Sequence, residues 1–392
     1  MNRYVKRTLQ TVVGLAVIGA AGFLTFGPGI VEKGKNVVLA HEPYPVSDQA
    51  TALHKTLVIG DWHADSLLWK RDLTKRATRG QVDIPRLQQG NVAIQMFTAV
   101  TKSPKGLNYQ KNSADAADDI TLLAVAQLWP MRTWDSILER ALYQAEKLHG
   151  FEAASPDNLK IIRTRADLDA VLERHENGEN IVGGLLGIEG SHPLESNLGN
   201  LDRLVDAGYR LIALQHFFDN ALGGSLHGEG NHGLTDFGRE VVAEVATRNL
   251  ILDLAHSSPQ TARDVLAMTD IPLVVSHTGT YGHCATKRNF PDDLMRAIAA
   301  TGGVIGIGYW SEVTCDASPK GVASAIKAAI DLVGEDHVSL GSDYDGTIEV
   351  EFDTSELAAL THELLEHGLS DDQIRKVMGT NMLRVLRARL PD

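Results

Sequence analysis

Two histidines follow two short apolar runs, and they mark the part of the chain best suited to carry chemistry. Leu250–Leu254 runs into His256, and Ile271–Val275 runs into His277. The connection between them, residues 259–270, is polar and compatible with a helix. Two strands joined by a crossover helix form a parallel pair, and their C-terminal ends meet at one edge of the sheet. Neutral imidazole is a common zinc ligand, so these two histidines could share one metal ion.

The same pattern recurs along the chain, which weighs against the alternative that these are ordinary loop histidines. Four further apolar runs end beside ionisable residues, at His63 and Asp65, at Glu189, at His216 and at Asp343. Runs over residues 91–100 and 303–308 are typical of plain strands. The predicted strands begin near residues 57, 92, 183, 211, 250, 272, 303 and 338. Eight short strands separated by helical segments predict a (β/α)8 TIM barrel, with its active residues at the C-terminal ends of the strands.

The segment from residue 101 to residue 180 is predicted to be an insertion after the second strand. Its amphipathic stretches, residues 117–128 and 136–148, predict helices that pack on the outside of the barrel. Residues 102–108 follow a strand end and are placed to help cover the site. Thr235 is predicted to cap the helix before the fifth strand, and residues 354–390 to form two closing helices.

Each ionisable strand end suits a particular role. His63 and Asp65 alternate along an extended segment, so both point to one side and can reach the same metal ion. Glu189 lies in the glycine-flanked sequence Gly187-Ile188-Glu189-Gly190 at the end of an apolar run, where a carboxylate needs a cation to offset its burial, and it could bridge two metal ions. His216 precedes two phenylalanines and is either a ligand or a donor to a substrate oxygen. Asp343 is the candidate general acid–base.

Arg288 lies in a loop on the same predicted face as His277. A guanidinium group can hold a carboxylate through two parallel hydrogen bonds, so Arg288 is a candidate for binding an anionic end of a substrate. The alternative is an ordinary surface arginine. Asp345, two residues after Asp343, is expected to order the turn there.

Composition limits the classes of partner. The chain has 392 residues and a formal net charge of −13, which argues against a nucleic-acid partner because such a partner requires a basic surface. Cys284 and Cys315 are the only two cysteines. They are too few for a thiolate zinc site, and they could form one disulfide in an exported domain or stay free. We favour the bond.

The first 31 residues have the pattern of a membrane anchor. Arg3, Lys6 and Arg7 precede a stretch without charged residues, 8–31, which is just long enough to span a bilayer as a helix. The basic flank predicts that the catalytic domain, residues 51–392, lies on the periplasmic or extracellular side. The alternative is a signal peptide cleaved near residues 19–21, which would release a secreted protein. Residues 32–50 are predicted to be a linker.

Taken together and in order, these motifs resemble those of the renal (membrane) dipeptidase family of zinc metallopeptidases. The resemblance covers about residues 52–388 and is carried by the following segments: the His63-x-Asp65 pair, GIEG, His216, DLAHSS, SHTGTYGHCATKRN and GSDYDG. It implies a (β/α)8 barrel of the amidohydrolase type that binds two zinc ions. The chain departs from mammalian members in its N-terminal apolar segment, in lacking a C-terminal lipid-anchor signal, and in having Ala64 where asparagine is common.

The resemblance also implies roles for individual residues. His63 and Asp65 would bind the first zinc ion, His256 and His277 the second, and Glu189 would bridge them. Substrate would contact His216 and Arg288, and Asp343 would transfer the proton. It further implies a disulfide between the two cysteines and a homodimer.

The predicted function is that of a zinc-dependent dipeptidase, in which a metal-bridging hydroxide attacks the peptide bond. Dipeptides with a C-terminal D-residue are candidate substrates. One alternative is a related binuclear amidohydrolase that acts on N-acyl amino acids, lactones or β-lactams, because its metal centre would look the same. A non-catalytic, membrane-tethered binding protein is a further alternative, but it would not need Asp343 as a proton carrier. Cobalt or manganese would also suit the ligand set.

Overall fold

The structure, a computed structural model, describes residues 3–392 except for the side chains at positions 8, 9, 16, 17 and 20. Its strands are short and mostly buried, and eight of them make one barrel. In chain order they are β1 (Val37–Val38), β2 (Ile59–Ala64), β3 (Val92–Val100), β4 (Leu159–Ile161), β5 (Val182–Glu189), β6 (Tyr209–Ala213), β7 (Ile251–Asp253), β8 (Val274–Thr278), β9 (Val304–Ile307), β10 (Val338–Leu340) and β11 (Glu349–Val350).

The barrel is closed and all its strands are parallel. The strand order runs β3-β2-β10-β9-β8-β7-β6-β5, and the pairing of β3 with β5 closes the ring. The predicted (β/α)8 barrel is therefore confirmed, and each barrel strand begins within two residues of its predicted start. Strands this apolar are expected because a parallel barrel is covered by helices outside and filled by side chains inside.

Helices alternate with the barrel strands and cover them. In chain order they are α1 (Arg3–Lys35), α2 (Asp48–His54), α3 (Ile84–Gln89), α4 (Asp119–Ala126), α5 (Arg132–Asp135), α6 (Ile137–Ala154), α7 (Arg165–Glu176), α8 (Gly199–Ala207), α9 (Asp236–Thr247), α10 (Pro259–Leu266), α11 (Asp292–Ala300), α12 (Ser311–Thr314), α13 (Pro319–Val333), α14 (Leu357–Glu366), α15 (Asp371–Arg375) and α16 (Asn381–Arg389). The predicted cap of α9 is present, since the Thr235 side chain accepts a hydrogen bond from the Gly238 amide.

The insertion between β3 and β5 contains α4, α5, α6, β4 and α7. Helix α6 buries Leu138, Ala141, Ala145 and Leu148 in the main hydrophobic core, as an amphipathic helix on the outside of the barrel should. Strand β4, which was not predicted, adds to the first residues of β5. The insertion therefore mainly buttresses the barrel, while its first residues remain close to the strand ends.

The N-terminal segment is helical as far as Lys35. Within the part of the chain that the structure describes, no helix is both long and apolar enough to cross a membrane. The transmembrane helix predicted for residues 1–31 is therefore not supported, although the segment includes five positions whose side chains lie outside the described residues. Residues 32–39, predicted to belong to a linker, pack against the catalytic domain. Glu32 and Asn36 are buried, and β1 pairs with β11 in a small sheet outside the barrel.

Candidate metal centre

Six barrel strands deliver the predicted site residues to one end of the barrel. His63 and His277 lie within β2 and β8, while Glu189 is the last residue of β5. The others follow strand ends, and none of the seven residues is more than 7% exposed. They are His63, Asp65, Glu189, His216, His256, His277 and Asp343. The structure thus brings all the predicted metal-binding and proton-transfer residues together.

The Glu189 carboxylate lies at the middle of the cluster. Its Oε1 atom is 3.5 Å from His63 Nε2, 3.2 Å from His256 Nε2 and 3.5 Å from His277 Nε2. Its Oε2 atom is 3.4 Å from His216 Nε2. One carboxylate therefore faces four imidazoles, two of which, His256 and His277, have Nε2 atoms only 2.9 Å apart.

A second group of oxygen atoms surrounds His63. Its Nε2 atom is 3.4 Å from Asp65 Oδ1 and 3.8 Å from Asp343 Oδ1. The whole cluster divides into three overlapping sets, and within each set the possible ligand atoms lie within 4.8 Å of one another. The sets are His63, Glu189 and His277; Glu189, His216 and His256; and His63, Asp65 and Asp343.

Hydrogen bonds on the far side of the ring orient the imidazoles of His63 and His277. Ser276 Oγ is 2.8 Å from His277 Nδ1 and 3.2 Å from His63 Nδ1. A Nδ1–H group that donates to an outer oxygen leaves Nε2 with a free lone pair directed at the cluster, which is the arrangement of metal-binding histidines. Thr98 Oγ1 donates to Asp65 Oδ1 at 2.6 Å and fixes that carboxylate in the same way.

A hydrogen bond fixes which ring nitrogen of His216 carries the proton. Its Nδ1 atom is 3.2 Å from the carbonyl oxygen of Lys102, and a carbonyl can only accept, so Nδ1 carries the proton. Burial lowers the pKa of His216 to about 4, which favours the neutral ring. A neutral His216 presents a lone pair at Nε2 and can act as a ligand, whereas donation to a substrate oxygen requires the imidazolium form.

Two deeper carboxylates, which were not predicted, stabilise the strand ends. Asp61 accepts from the amides of His63 (2.9 Å) and Ser342 (3.0 Å), and Asp253 accepts from the amide of Ser276 at 2.9 Å. Asp61 could have been found from the sequence, because it alternates with His63 and Asp65 along the same strand.

The electrostatics of the cluster favour a bound cation. Burial, followed by the nearby Asp65 charge, raises the pKa of Glu189 well above its usual value, and burial raises the pKa of Asp343 to about 8. Burial lowers the pKa of His63, but Glu189 and Asp65 outweigh it and bring the pKa to about 10. Three carboxylates in one buried space are costly unless positive charge accompanies them.

Unpaired buried atoms and backbone strain also indicate that the cluster binds a cation. Among the described residues, His63 Nε2 and Glu189 Oε2 are buried and have no hydrogen-bond partner. His256 and Asp343 both have φ of 61°, a left-handed conformation that costs about 1–3 kcal/mol and persists where the surrounding structure holds it. The nitrogen and oxygen atoms present therefore fit a metal ion of the zinc type.

Arg288 is fully buried beside the cluster and is not a surface arginine. Its Nη2 atom donates to the His277 carbonyl at 2.8 Å, and its guanidinium group lies 5.4 Å from the centre of the Trp310 ring. Within the described residues, its Nε and Nη1 atoms have no hydrogen-bond partner. These two N–H groups leave the buried guanidinium group with unpaired donors for an anion such as a carboxylate.

An aromatic wall next to Arg288 was missed from the sequence. Trp310 Nε1 donates to Tyr109 OH at 3.0 Å, and Phe217 stacks on His227 at 4.8 Å between ring centres. Tyr109 and His227 lie in loops without a strand-end pattern, so no periodicity marks them. A separate cavity of about 380 Å³ includes Lys102, Ser191, His192 and Phe218 in its lining.

The disulfide is confirmed, since Cys284 is bonded to Cys315. The bond joins the loop that carries Arg288 to the short helix that begins after Trp310, α12. It therefore constrains the loops on both sides of the Arg288 guanidinium.

A closed (β/α)8 barrel with buried histidines and carboxylates at the C-terminal ends of its strands defines a metal-dependent hydrolase of the TIM-barrel type. The family model "Membrane dipeptidase (Peptidase family M19)" matches residues 47–390. The chain therefore belongs to the membrane dipeptidase family. As predicted, it is a hydrolase of the dipeptidase class, and its family implies a bound metal.

Similar proteins agree with this assignment. Dipeptidase verJ of Clonostachys rogersoniana is 30% identical over 311 residues, which cover 78% of this chain and 74% of that protein. Dipeptidase aclJ of Aspergillus oryzae is 29% identical over 378 residues, covering 89% of this chain and 84% of that protein. A metallopeptidase from Rhodobacter sphaeroides, solved with a phosphinate mimic of L-Ala-D-Ala, has a TM-score of 0.68 and 25% identity; the match covers 85% of this chain and 99% of that one.

Proposed function

We propose that this chain is a zinc-dependent dipeptidase with two zinc ions per chain. The observation that carries the proposal is the position of Glu189, whose single carboxylate lies within 3.5 Å of imidazole nitrogens on both sides of the cluster. His63 and Asp65 would hold one ion, His256 and His277 the other, and Glu189 would contact both. When bound, zinc polarises a carbonyl group and makes hydroxide available near neutral pH.

The side chains around the metal centre suggest how a dipeptide would be held and cleaved. Arg288 would pair with the free C-terminal carboxylate, because its Nε and Nη1 atoms lack partners among the described residues. That pairing selects short substrates over proteins. The aromatic wall of Tyr109, Phe217 and Trp310 would exclude water and strengthen this pairing.

Asp343 is the residue we assign to proton transfer. Its carboxylate faces the cluster at 3.8 Å from His63 Nε2, and burial raises its pKa, which favours a carboxyl group that can hold a proton. In this role it takes the proton from the attacking water and passes it to the leaving amine. His216 would donate to the developing oxyanion in its imidazolium form, or bind metal in its neutral form.

The test is hydrolysis of a substrate panel by the purified full-length chain. The panel contains L-Ala-L-Ala, L-Ala-D-Ala, an N-acetyl amino acid, a lactone and a β-lactam. We expect cleavage of dipeptides that stops on chelation and returns with zinc. Cleavage of only the acylated amino acid, the lactone or the β-lactam would replace the dipeptidase proposal with the related amidohydrolase. No metal-dependent cleavage at all would remove the proposed function.

We also propose that the N-terminal helix attaches the enzyme to a membrane with its catalytic domain outside the cytoplasm. Support comes from the basic residues at 3, 6 and 7 and from the uncharged stretch that follows them. The disulfide supports an oxidising compartment. Fractionation of cells that express the full-length chain tests this. Recovery in the cytosolic fraction with reduced cysteines would contradict it.

A further inference from the structure

The loop that carries Asp343 has an uncommon backbone conformation. Asp343, Asp345 and Thr347 have φ angles of 61°, 63° and 64°. Residues other than glycine rarely adopt such angles unless surrounding contacts hold them there. The Asp343 carboxylate also lies against Gly346, where an added Cβ would be 2.2 Å from Oδ1. The contacts that hold residues 341–347 therefore determine where this carboxylate lies.

One of these contacts comes directly from residues 32–39, which we call the strap. The Thr347 amide donates to Asn36 Oδ1 at 2.9 Å, and Asn36 is buried. Strand β1 of the strap pairs in parallel with β11, just beyond the loop. Gln81 Nε2 joins the two segments, because it is 3.1 Å from the carbonyl oxygens of both Val37 and Ile348.

A buried ionic chain makes a second connection. Glu32 pairs with Arg71, and Arg71 pairs with Asp345 in the loop, with all three side chains at most 1% exposed. Arg79 Nε donates to the other oxygen of Glu32 at 2.6 Å. Arg71 packs against Gly80, where any side chain would collide with the guanidinium group. Removing Glu32 would therefore take away one of the two buried carboxylates that pair with Arg71.

We propose that the strap is part of the catalytic apparatus, in which Glu32 and Asn36 act as positioning residues for Asp343. Glu32 acts through Arg71 and Asp345, and Asn36 acts through Thr347. The strap precedes the residues that the family model matches, 47–390, so this device lies outside the part of the chain that defines the family. The inference rests on the proposed role of Asp343 in the dipeptidase reaction.

The experiment compares three variants of the full-length chain with the wild type. Glu32→Gln keeps the shape and removes the charge, Asn36→Ala removes the acceptor for Thr347, and Glu42→Gln is the control because Glu42 is exposed. We expect kcat for a dipeptide to fall about tenfold to a hundredfold in the first two variants, as for a misplaced catalytic group. KM should stay within about twofold, because the described hydrogen bonds and ion pairs of the strap do not include Arg288. The control should behave as wild type.

Two further readouts separate positioning from general loss of stability. Hydrogen–deuterium exchange should rise in peptides that cover 341–350 and stay unchanged in those that cover β6 to β8, and metal content should not change. Glu32→Asp, which retains the carboxylate, should recover part of kcat. Folded Glu32→Gln and Asn36→Ala with wild-type kcat and wild-type exchange at 341–350 would overturn the proposal.

Each remaining outcome also has a clear meaning. If Glu32→Gln does not fold, Asn36→Ala decides alone, because it removes one hydrogen bond and no charge. If the wild type cleaves no dipeptide, the proposed function fails, but the exchange measurement still decides whether the strap holds the loop. Unchanged hydrogen–deuterium exchange at 341–350 in Asn36→Ala would then contradict the proposal that the strap holds this loop.

Discussion

Replacing Arg288 by methionine should selectively damage the hydrolysis of substrates with a free C-terminal carboxylate. Arg288 is 1% exposed, and its Nε and Nη1 atoms have no partner among the described residues. Removing one partner of a buried, hydrogen-bonded charge pair costs about 2–5 kcal/mol. A loss of about 3 kcal/mol corresponds to a fall in kcat/KM of roughly 150-fold.

The assay is a cycle of two enzymes and two substrates, a dipeptide and the same dipeptide with an amidated C-terminus. For the wild type, kcat/KM should be lower on the amide than on the free acid. This fall should be about as large as the fall in kcat/KM on the free acid that Arg288→Met causes. For Arg288→Met, kcat/KM should be nearly the same on the amide and on the free acid, because the pair between Arg288 and the substrate carboxylate is already absent. Metal content should be measured in parallel, since Arg288 donates to the His277 carbonyl.

Lys287→Met provides the matched control, because it removes a neighbouring positive charge that is less buried than Arg288. It should change kcat/KM for both substrates by less than about threefold, as expected of partly screened charges. An equal loss on the free acid and the amide after Arg288→Met, with metal retained, would refute the assignment of Arg288 to the substrate carboxylate.

Three further predictions follow from the site. Asp343→Asn should keep its metal and fold but lose about 10²–10⁴ in kcat, the usual contribution of a general acid–base; near-normal turnover would remove Asp343 from proton transfer. His216→Ala should lower kcat about 10²–10³-fold with metal content unchanged if the ring is an oxyanion donor, whereas loss of a metal ion would identify the neutral ring as a ligand. Reducing or replacing the Cys284–Cys315 bond, which spans 31 positions, should lower the free energy of unfolding by about 3–4 kcal/mol in denaturant titrations, and a loss below about 1 kcal/mol would contradict this.

The barrel could be predicted from the sequence because its strands carry a local signal. Each is a short apolar run, and six of the eight end beside an ionisable residue. The apolar runs predict the strands, and the ionisable residues at their ends predict the site. Glu189 and His277 illustrate this, since each lies at the C-terminal end of a fully buried strand. Strand β4 was missed because three residues, Leu159–Ile161, are too few to show a period.

The parts that could not be predicted depend on contacts between distant residues. Nothing around Glu32 marks it as buried, because its partner Arg71 and the Asp345 that pairs with Arg71 are 39 and 313 positions away. The sequence therefore predicts a linker over residues 32–50, which includes the strap. The tautomer of His216 depends in the same way on the Lys102 carbonyl, and the sequence alone left its role as ligand or donor open.

The most direct test of the central claim is a metal titration of the full-length chain. Metal-free protein, prepared by chelation, is titrated with zinc while bound zinc and dipeptide hydrolysis are measured together. We predict two zinc ions per chain, with hydrolysis returning as the second ion binds, because Glu189 lies between the two sets of ligands. Saturation at one bound ion per chain or fewer in excess zinc, or full activity after a single equivalent, would contradict the two-metal site.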